Sequence, residues 1–328
     1  MAKTKLEDVI VPEIFADYVL QKTTQRNALI TSGIASPDVN VAQRMFRGGK
    51  GIELPFWKRT NARSEVLSED SPMTTHKIVA GGDYAAVHAR GIGYSSNDLA
   101  GLFAGADPMN AMASMVADDW SGSFQEILLA SLKGVFSAES MSDHVLDIST
   151  NEGDDGILSN NALIDAIYLL GDNFKALTGL AMHSAVMAKL AKLKLLDDYP
   201  RDASATAPEF DTYMRRRIIV DDTIAPETIT VGSDTSAKAY PIYLFGNGAV
   251  AYNESAALME TEPDRDSGQG DDYIYTRRVF TMHPRGIKWK GTPAGATASN
   301  DELATGTNWE LVEDSKNVVI AKLVVRLS

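Results

Sequence analysis

The sequence of 328 residues contains no cysteine. This absence excludes disulfide bonds, thiolate metal sites and cysteine nucleophiles. Any unusual robustness must therefore come from side-chain packing and subunit contacts.

Long hydrophobic runs are missing as well. No stretch approaches the roughly 18 uninterrupted apolar residues of a membrane-spanning helix, so we expect no membrane partner. The N-terminal segment Met1-Ala-Lys-Thr-Lys-Leu-Glu-Asp8 has two lysines but no apolar stretch behind them, which is unlike a secretory signal. We expect the protein to fold in the cytoplasm of the cell that makes it.

Recognisable catalytic motifs are absent too. The segment Gly48-Gly-Lys-Gly51 lacks the spacing and the following Ser or Thr of a phosphate-binding loop, and the sequence has no G-x-S-x-G or H-E-x-x-H motif. Asp154-Asp155, Asp264-Arg-Asp266 and Asp271-Asp272 lack the ligand spacing of a calcium loop, so we interpret them as solvated acidic loops. The sequence predicts no catalytic residue, no cofactor and no metal site.

Histidines are few and scattered, with no two of the five at i, i+4. His88 and His283 lie two residues before Arg90 and Arg285, in similar His-x-Arg-Gly settings that could indicate a phosphate site. We favour a simpler interpretation, in which these side chains hydrogen-bond to backbone at strand ends.

Charge is unevenly distributed along the chain. The formal net charge is −13; residues 1–60 carry +3, from nine Lys and Arg against six Asp and Glu, which leaves −16 for the remainder. Affinity for duplex DNA comes largely from phosphate neutralisation by Lys and Arg. The acidic body therefore indicates weak, nonspecific contact with DNA, and it favours solubility at high concentration.

The first third of the chain predicts little compact structure. Residues 1–47 read as an extended arm with one short helix near Pro12. Residues 48–96 read as a long β-hairpin, with one strand near residues 51–57 and a return strand over residues 77–94 that breaks at Gly81-Gly82. Between the strands lies a polar tip, residues 61–76. Such a hairpin either lies on its own subunit or projects, and periodicity does not choose between the two.

Residues 107–137 predict a long amphipathic helix, because apolar residues recur there at steps of three and four. A helix of this size is about 40 Å long and forms the centre of a region that we place at residues 97–150. The residues predicted to form its buried stripe are Met112, Val116, Trp120, Phe124 and Leu128.

The second half predicts an α–β–α unit over residues 151–260. It has a helix from about Ser159, a short strand near residues 180–183 and a second helix capped by Ser184. Residues 261–328 read as β-strands again. The fold class predicted from the sequence is α+β.

Seven segments, taken in chain order, resemble the major capsid proteins of tailed bacteriophages with the Hong Kong 97-type fold. These segments are Val9-Ile-Val-Pro-Glu-Ile-Phe15, Leu54-Pro-Phe-Trp57, His88-Ala-Arg-Gly91 with Tyr94-Ser-Ser-Asn-Asp-Leu-Ala100, Asp107-Pro-Met109, Ala181-Met-His-Ser184, Ile218-Ile-Val-Asp-Asp222 and His283-Pro-Arg-Gly-Ile-Lys-Trp289.

The resemblance implies a shell-building protein with no enzymatic activity. It implies an N-terminal arm (1–47), an extended hairpin over the neighbouring subunit (48–96), a peripheral domain with a spine helix (97–150) and terminal strands (261–328), and an axial domain (151–260). The residues that we predict for the assembly interface are Ile52, Leu54, Phe56, Trp57, Glu65, Glu69 and Asp70.

The resemblance also implies partners and a location. The chain would form hexamers and pentamers, and it would work with a separate scaffolding protein, a portal protein, packaged double-stranded DNA and a cement or decoration protein. It would be part of the virion after assembly in the bacterial cytoplasm. An encapsulin-like compartment shell is the alternative, and a metal-dependent hydrolase using Asp222, Asp264 or His283 is a remote one.

Overall fold

A computed structural model of the chain describes residues 34–38, 41, 51–58, 60, 62–67, 72–97, 108–196, 211–232, 234–255 and 261–328. Its strands are β1 (Ala35–Pro37), β2 (Gly51–Lys58), β3 (Val79–Ala86), β4 (His88–Asn97), β5 (Val145–Asp147), β6 (Leu177–Met182), β7 (Thr212–Tyr213), β8 (Arg216–Val220), β9 (Glu227–Val231), β10 (Asp234–Gly246), β11 (Val250–Ser255), β12 (Thr261–Asp266), β13 (Asp271–Pro284), β14 (Ile287–Trp289), β15 (Trp309–Leu311) and β16 (Ile320–Val325). Its α-helices are α1 (Pro108–Ser137), α2 (Asn160–Ile167), α3 (Ser184–Lys192) and α4 (Asn300–Leu303).

The peripheral sheet is organised around the long strand β13. Strand β4 pairs antiparallel with β13 along one edge, from Asp271↔Asn97 to Phe280↔His88. Strands β12 and β11 pair antiparallel with its other edge, and β1 adds to β11 in parallel. Because side chains alternate between the two faces of a strand, Thr276, Arg278, Phe280 and Met282 lie on one face of this sheet.

The spine helix α1 packs across that face. Trp120 and Phe124 are buried on it, and the indole N–H of Trp120 donates to Thr276 Oγ1 at 2.9 Å. The ring of Phe124 meets Phe280 edge-on at 4.6 Å, and the guanidinium of Arg278 lies over the Trp120 ring at 5.3 Å. The helix predicted for residues 107–137 is confirmed; at 30 residues it is about 45 Å long.

The extended hairpin is formed by β2 and β3, which pair antiparallel from Gly51↔Ala86 to Lys58↔Val79. The predicted break at Gly81-Gly82 is wrong, since β3 runs through both residues. A Cβ at Gly81 would come within 2.6 Å of the Phe56 ring, so the glycine makes room for a cross-strand aromatic side chain.

The return strand predicted over residues 77–94 is also shorter than expected. It ends at Ala86, and β4 leaves the hairpin to join the peripheral sheet. An alternating pattern predicts that a strand exists, but it does not identify which strand is its partner.

The axial sheet has the order β5-β16-β10-β6-β8-β7, with β9 paired to the first part of β10. Side chains on one face, including Leu180, Ile242 and Leu323, pack with residues of α2 and α3. Those on the other face, including Tyr243 and Phe245, belong to the same hydrophobic core as α1. The axial sheet and the peripheral sheet therefore share the spine helix as a common support.

Two further strands pair across the predicted domain boundaries. Strand β16, placed in the peripheral strands at 261–328, pairs with β10 and β5 of the axial sheet. Strand β11, placed in the axial unit at 151–260, pairs with β13 of the peripheral sheet. Both exchanges are long-range pairings that a local sequence pattern does not encode.

The start of one helix agrees with the prediction, and the cap of another differs from it. Helix α2 begins next to Ser159, as predicted, and the Ser159 side chain caps it by accepting a hydrogen bond from the backbone N–H of Ala162. The cap of α3 is His183 rather than Ser184, because the His183 ring accepts from the backbone N–H of Ala185. Of the predicted arm, the structure describes residues 34–38 and 41; the short helix near Pro12 lies outside the described residues.

Candidate assembly surfaces

The tip of the hairpin, residues 61–76, stands out by its exposure. Every described residue of the tip is exposed. Val66 is 96% exposed and Leu67 75%, and the strand residue Trp57 before the tip is 74% exposed. Further exposed apolar side chains are Met73, Ile78 and Val79. Large exposed apolar patches mark interaction sites, so the concentration of these side chains on the hairpin makes it a candidate assembly surface.

The predicted interface residues of β2 divide between the two faces of the hairpin. Ile52 is 4% exposed and packs with Val41, Ala85 and Ala251 inside its own subunit, so the folded subunit does not present it to a neighbour. Leu54 and Phe56 share that face and are half-buried, whereas Trp57 points the other way and is free to meet a partner. Successive side chains of a strand point to opposite faces, so the predicted residues had to divide between them. The sequence did not show which of the two faces the subunit itself covers.

Of the three acidic tip residues predicted for the interface, the structure describes only Glu65. Glu65 is exposed, and its carboxylate accepts hydrogen bonds from the backbone N–H and the hydroxyl of Thr74. Glu69 and Asp70 lie outside the described residues. Sequence reasoning missed Val66 and Leu67, although two adjacent apolar residues in an otherwise polar tip were a readable signal.

The predicted core of the spine helix is buried where the structure describes it. Val116, Trp120, Phe124 and Leu128 are all at most 1% exposed. The side chain of Met112 lies outside the described part of the structure.

A buried hydrogen-bonded pair, Asp83 and His283, fastens the base of the hairpin to the peripheral sheet. His283 Nε2 on β13 donates to Asp83 Oδ1 on β3 at 2.9 Å, and the backbone N–H of Gly286 donates to Asp83 Oδ2 at 3.0 Å. Burial acts to raise the pKa of the Asp83 carboxyl. The opposing effects are larger in sum: the electrostatic attraction and hydrogen bond of His283, together with hydrogen bonds from the backbone of Gly286 and Tyr84, hold that pKa below its ordinary value. The pair sets the position of the hairpin on its subunit.

The two His-x-Arg-Gly segments do not form a phosphate site, because their side chains are used within the protein. Arg90 Nη2 donates to the Ala298 carbonyl at 2.6 Å, and Arg285 pairs with Asp38 at 2.7 Å. His88 is fully buried beside Phe280. Arg90 bonds to backbone as predicted, whereas His283 bonds to a side chain 200 residues away.

Side chains of the acidic segments form ion pairs and hydrogen bonds that stabilise local structure. Asp272 pairs with Arg265 at 2.7 Å, and Asp266 accepts from the backbone N–H of Gly268 in the turn between β12 and β13. Asp222 accepts from the backbone N–H of Ser184 at the start of α3. Within the residues that the structure describes, no three His, Asp or Glu side chains are grouped to hold a metal ion.

The long helix also does not resemble a membrane span. None of the helices in the described ranges has a stretch both long and apolar enough to cross a bilayer.

Comparison with known proteins gives a consistent result. A family model described as major capsid protein 13-like matches residues 52–319. The major capsid protein of Bacillus phage SPP1 is 41% identical over 330 residues, which cover 100% of this chain and 99% of that protein. This relationship favours a phage head protein over an encapsulin-like shell or a hydrolase.

Solved capsids share the fold at low sequence identity. The capsid of cyanophage Pam1 aligns with a TM-score of 0.60 at 12% identity, over 92% of this chain and 93% of that one. The capsid of Ralstonia phage GP4 aligns with a TM-score of 0.59 at 8% identity, over 90% and 87% of the two chains. The predicted Hong Kong 97-type α+β fold is confirmed. The chain belongs to the major capsid protein 13-like family and is the major capsid protein of a tailed phage, a virion component that forms the icosahedral head.

Proposed function

We propose that the hairpin of each subunit provides its lateral contact with an adjacent copy, and that these contacts join copies into hexamers and pentamers. The observation that carries the proposal is the hairpin tip, whose apolar side chains Val66 and Leu67 are 96% and 75% exposed in the described subunit. A contact that joins one surface of a subunit to a different surface of the next is heterologous, and such contacts form a ring when the rotation between copies closes.

The subunit body suits this role because its core does not use the described residues of the tip. The buried core under the spine helix includes Trp120, Phe124 and Phe280, and none of its described residues comes from 62–67 or 72–76. Many modest contacts repeated in closed symmetry are strong in sum while each remains reversible. The role proposed for the chain is therefore structural, with no catalytic step.

The proposal also includes the partners of the shell: packaged DNA and the other head proteins. A net charge of −13 supports only nonspecific contact with packaged double-stranded DNA, since few phosphates would be neutralised. We propose assembly in the bacterial cytoplasm with a separate scaffolding protein, a portal protein that occupies one vertex, and a cement or decoration protein on the finished shell.

Sedimentation velocity and negative-stain microscopy of the expressed chain, alone and together with the other head proteins of its phage, test this function. We expect capsomers of five and six subunits or closed particles in the megadalton range. A discrete small oligomer that stays unchanged at high concentration and with those partners would contradict the proposal.

A further inference from the structure

A groove opens between the second half of α1 and the axial sheet, and we call it the axial groove. Its volume is about 520 Å³, which is within the roughly 300–1,000 Å³ of clefts that bind small molecules. Leu129 lines it from the helix, Ile224 and Pro226 from the loop after β8, and Tyr243 from the sheet. Three elements therefore contribute apolar or aromatic side chains to its walls.

The charged side chains of the axial groove are two of each sign. Lys133, Lys322, Glu227 and Asp301 all line it. Lys133 and Glu227 pair with each other at 2.9 Å, and both of these side chains are more than half exposed. Because the two signs balance, the groove has no net attraction for an ion of either sign, and its apolar walls favour a neutral ligand.

Lys322 is the one nucleophilic amine of the groove that no carboxylate holds in an ion pair within the described ranges. It lies half-buried on β16, opposite Tyr243. None of the ion pairs among the described residues includes it, and Glu227 is paired with Lys133 instead. Removal from water without an ion pair favours the neutral amine over the ammonium form, and the neutral amine has a free lone pair.

The electrostatic environment of Lys322 agrees with this geometry. Burial has the largest effect and lowers the pKa of its ammonium group; the charges of Glu227 and Asp147 act to raise that pKa, and the charge of Lys133 lowers it again. The net result is a lowered pKa, so more of this side chain is a neutral amine at pH 7 than for an exposed lysine. Burial, and then the charge of Glu227, raise the pKa of the Tyr243 hydroxyl, so the neighbouring ring stays uncharged.

We propose that the axial groove binds a small neutral aldehyde and holds it as an imine on Lys322. The amine nitrogen adds to the carbonyl carbon, and a C–N double bond forms while the carbonyl oxygen leaves as water with both amine hydrogens. Lysines that are desolvated in apolar pockets react with carbonyl compounds in this way. The groove belongs to the body of the subunit, so this inference does not depend on the lateral contact proposed for the hairpin.

Reductive trapping of benzaldehyde tests the proposal on the unassembled full-length subunit. Benzaldehyde is small, neutral and aromatic, and sodium cyanoborohydride supplies the hydride that reduces the imine to a stable secondary amine. Peptide mapping by mass spectrometry then compares Lys322 with Lys192, an exposed lysine of α3. At pH 7 we expect at least about fivefold more product at Lys322, with a rate that saturates as the benzaldehyde concentration rises. Equal labelling of the two lysines would overturn the proposal.

Ala225→Phe tests whether the groove, and not the amine alone, selects the probe. Ala225 is an exposed residue of the groove lining, so the larger side chain narrows the opening without entering the core. We expect labelling of Lys322 to fall severalfold and labelling of Lys192 to stay the same. Asn161→Phe, at an exposed position on α2, is the matched control and should label like the parent. Unchanged labelling of Lys322 in Ala225→Phe would overturn the groove as the binding site.

An anionic analogue and a pH series test the class of ligand and the state of the amine. 4-Carboxybenzaldehyde has the same ring and aldehyde with a negative charge, so its preference for Lys322 over Lys192 should be severalfold smaller than that of benzaldehyde. An equal or greater preference would show an anion site and overturn the neutral class. The preference of benzaldehyde should shrink as the pH rises from 7 to 9.5, because ordinary lysines then lose protons too. A constant preference would contradict the assignment of Lys322 as a neutral amine.

Discussion

The two tryptophans Trp57 and Trp120 show how burial separates a folding residue from an assembly residue. Trp120 is fully buried and hydrogen-bonded to Thr276, whereas Trp57 is 74% exposed on the hairpin. We expect Trp120→Ala to cost about 3–5 kcal/mol of subunit stability, since the site cannot refill the lost volume. Trp57→Ala should change it by less than about 0.5 kcal/mol.

Urea unfolding of the unassembled subunit measures both values. If Trp120→Ala unfolds within experimental error of the parent, the buried face of the spine helix has been assigned wrongly. If Trp57→Ala is the more destabilising of the two, the hairpin belongs to the subunit core.

His88 gives the subunit a predictable response to acid. The side chain is fully buried, its Nδ1 has no hydrogen-bond partner among the described residues, and Arg90 and His283 are the charged groups that face it. Burial first, and then the electrostatic effects of Arg90 and His283, lower the pKa of His88 from 6.5 to about 3. Between these values the unfolded chain binds a proton that the folded chain does not, so stability falls as pH falls from 6.5, by up to about 1.4 kcal/mol per pH unit.

Urea midpoints of the unassembled subunit between pH 4.5 and 6.5 test this expectation, because most carboxylates stay ionised in that window. His88→Gln should flatten the decline, and His76→Gln, at an exposed position in the tip, should leave it intact. A parent subunit whose stability is constant over this range would contradict the assignment of His88 as a buried neutral group.

At the scale of elements, two glycines of the spine helix allow helix propensity and side-chain packing to be tested separately. Replacing a mid-helix glycine by alanine stabilises a helix by about 0.5–1 kcal/mol where there is space. A Cβ at Gly122 would meet nothing within 4 Å, so we expect Gly122→Ala to raise the melting temperature of the subunit.

Gly134 is the opposite case on the same helix. A Cβ there would overlap the Leu303 carbonyl oxygen and come within 2.6 Å of the Trp309 indole nitrogen. The clash outweighs the propensity gain, since it would also disturb the hydrogen bond from Trp309 to Leu303. Gly134→Ala should lower the melting temperature by several degrees; a rise for both variants would show that α4 is not packed against the helix.

The elements also differ in how far the sequence could predict them. The spine helix was predictable because its apolar residues recur at the helical period over thirty residues. The placement of β16 beside β10 was not, because a short apolar strand has no local mark of its partner. The Asp83–His283 pair was equally hidden, since its residues are 200 positions apart.

The sequence could predict only part of the assembly surface, because a local pattern does not show what a strand packs against. Alternation along β2 grouped Ile52, Leu54 and Phe56 on one face, but only the packing of β2 on the peripheral sheet shows that the subunit itself buries Ile52. Exposure in the folded subunit, rather than apolar character, distinguishes Trp57, Val66 and Leu67 as available for contact.

At the scale of the whole molecule, the net charge of −13 limits contact with nucleic acid. We expect the unassembled protein to bind duplex DNA more weakly than about 1 μM at physiological salt, because binding requires phosphate neutralisation by basic residues. Fluorescence anisotropy over a salt series measures this. Sub-micromolar affinity with a steep salt slope would show a basic surface that the overall charge conceals.

The central claim is that the hairpin builds the shell while the body of the subunit folds without it. The measurement that tests it most directly compares the parent with a variant lacking residues 61–76, by sedimentation and negative-stain microscopy under identical assembly conditions. We expect the deletion variant to be soluble, with parental circular dichroism and cooperative unfolding, yet unable to form closed particles. Normal shells from the deletion variant would contradict the account, and so would global unfolding of its subunit.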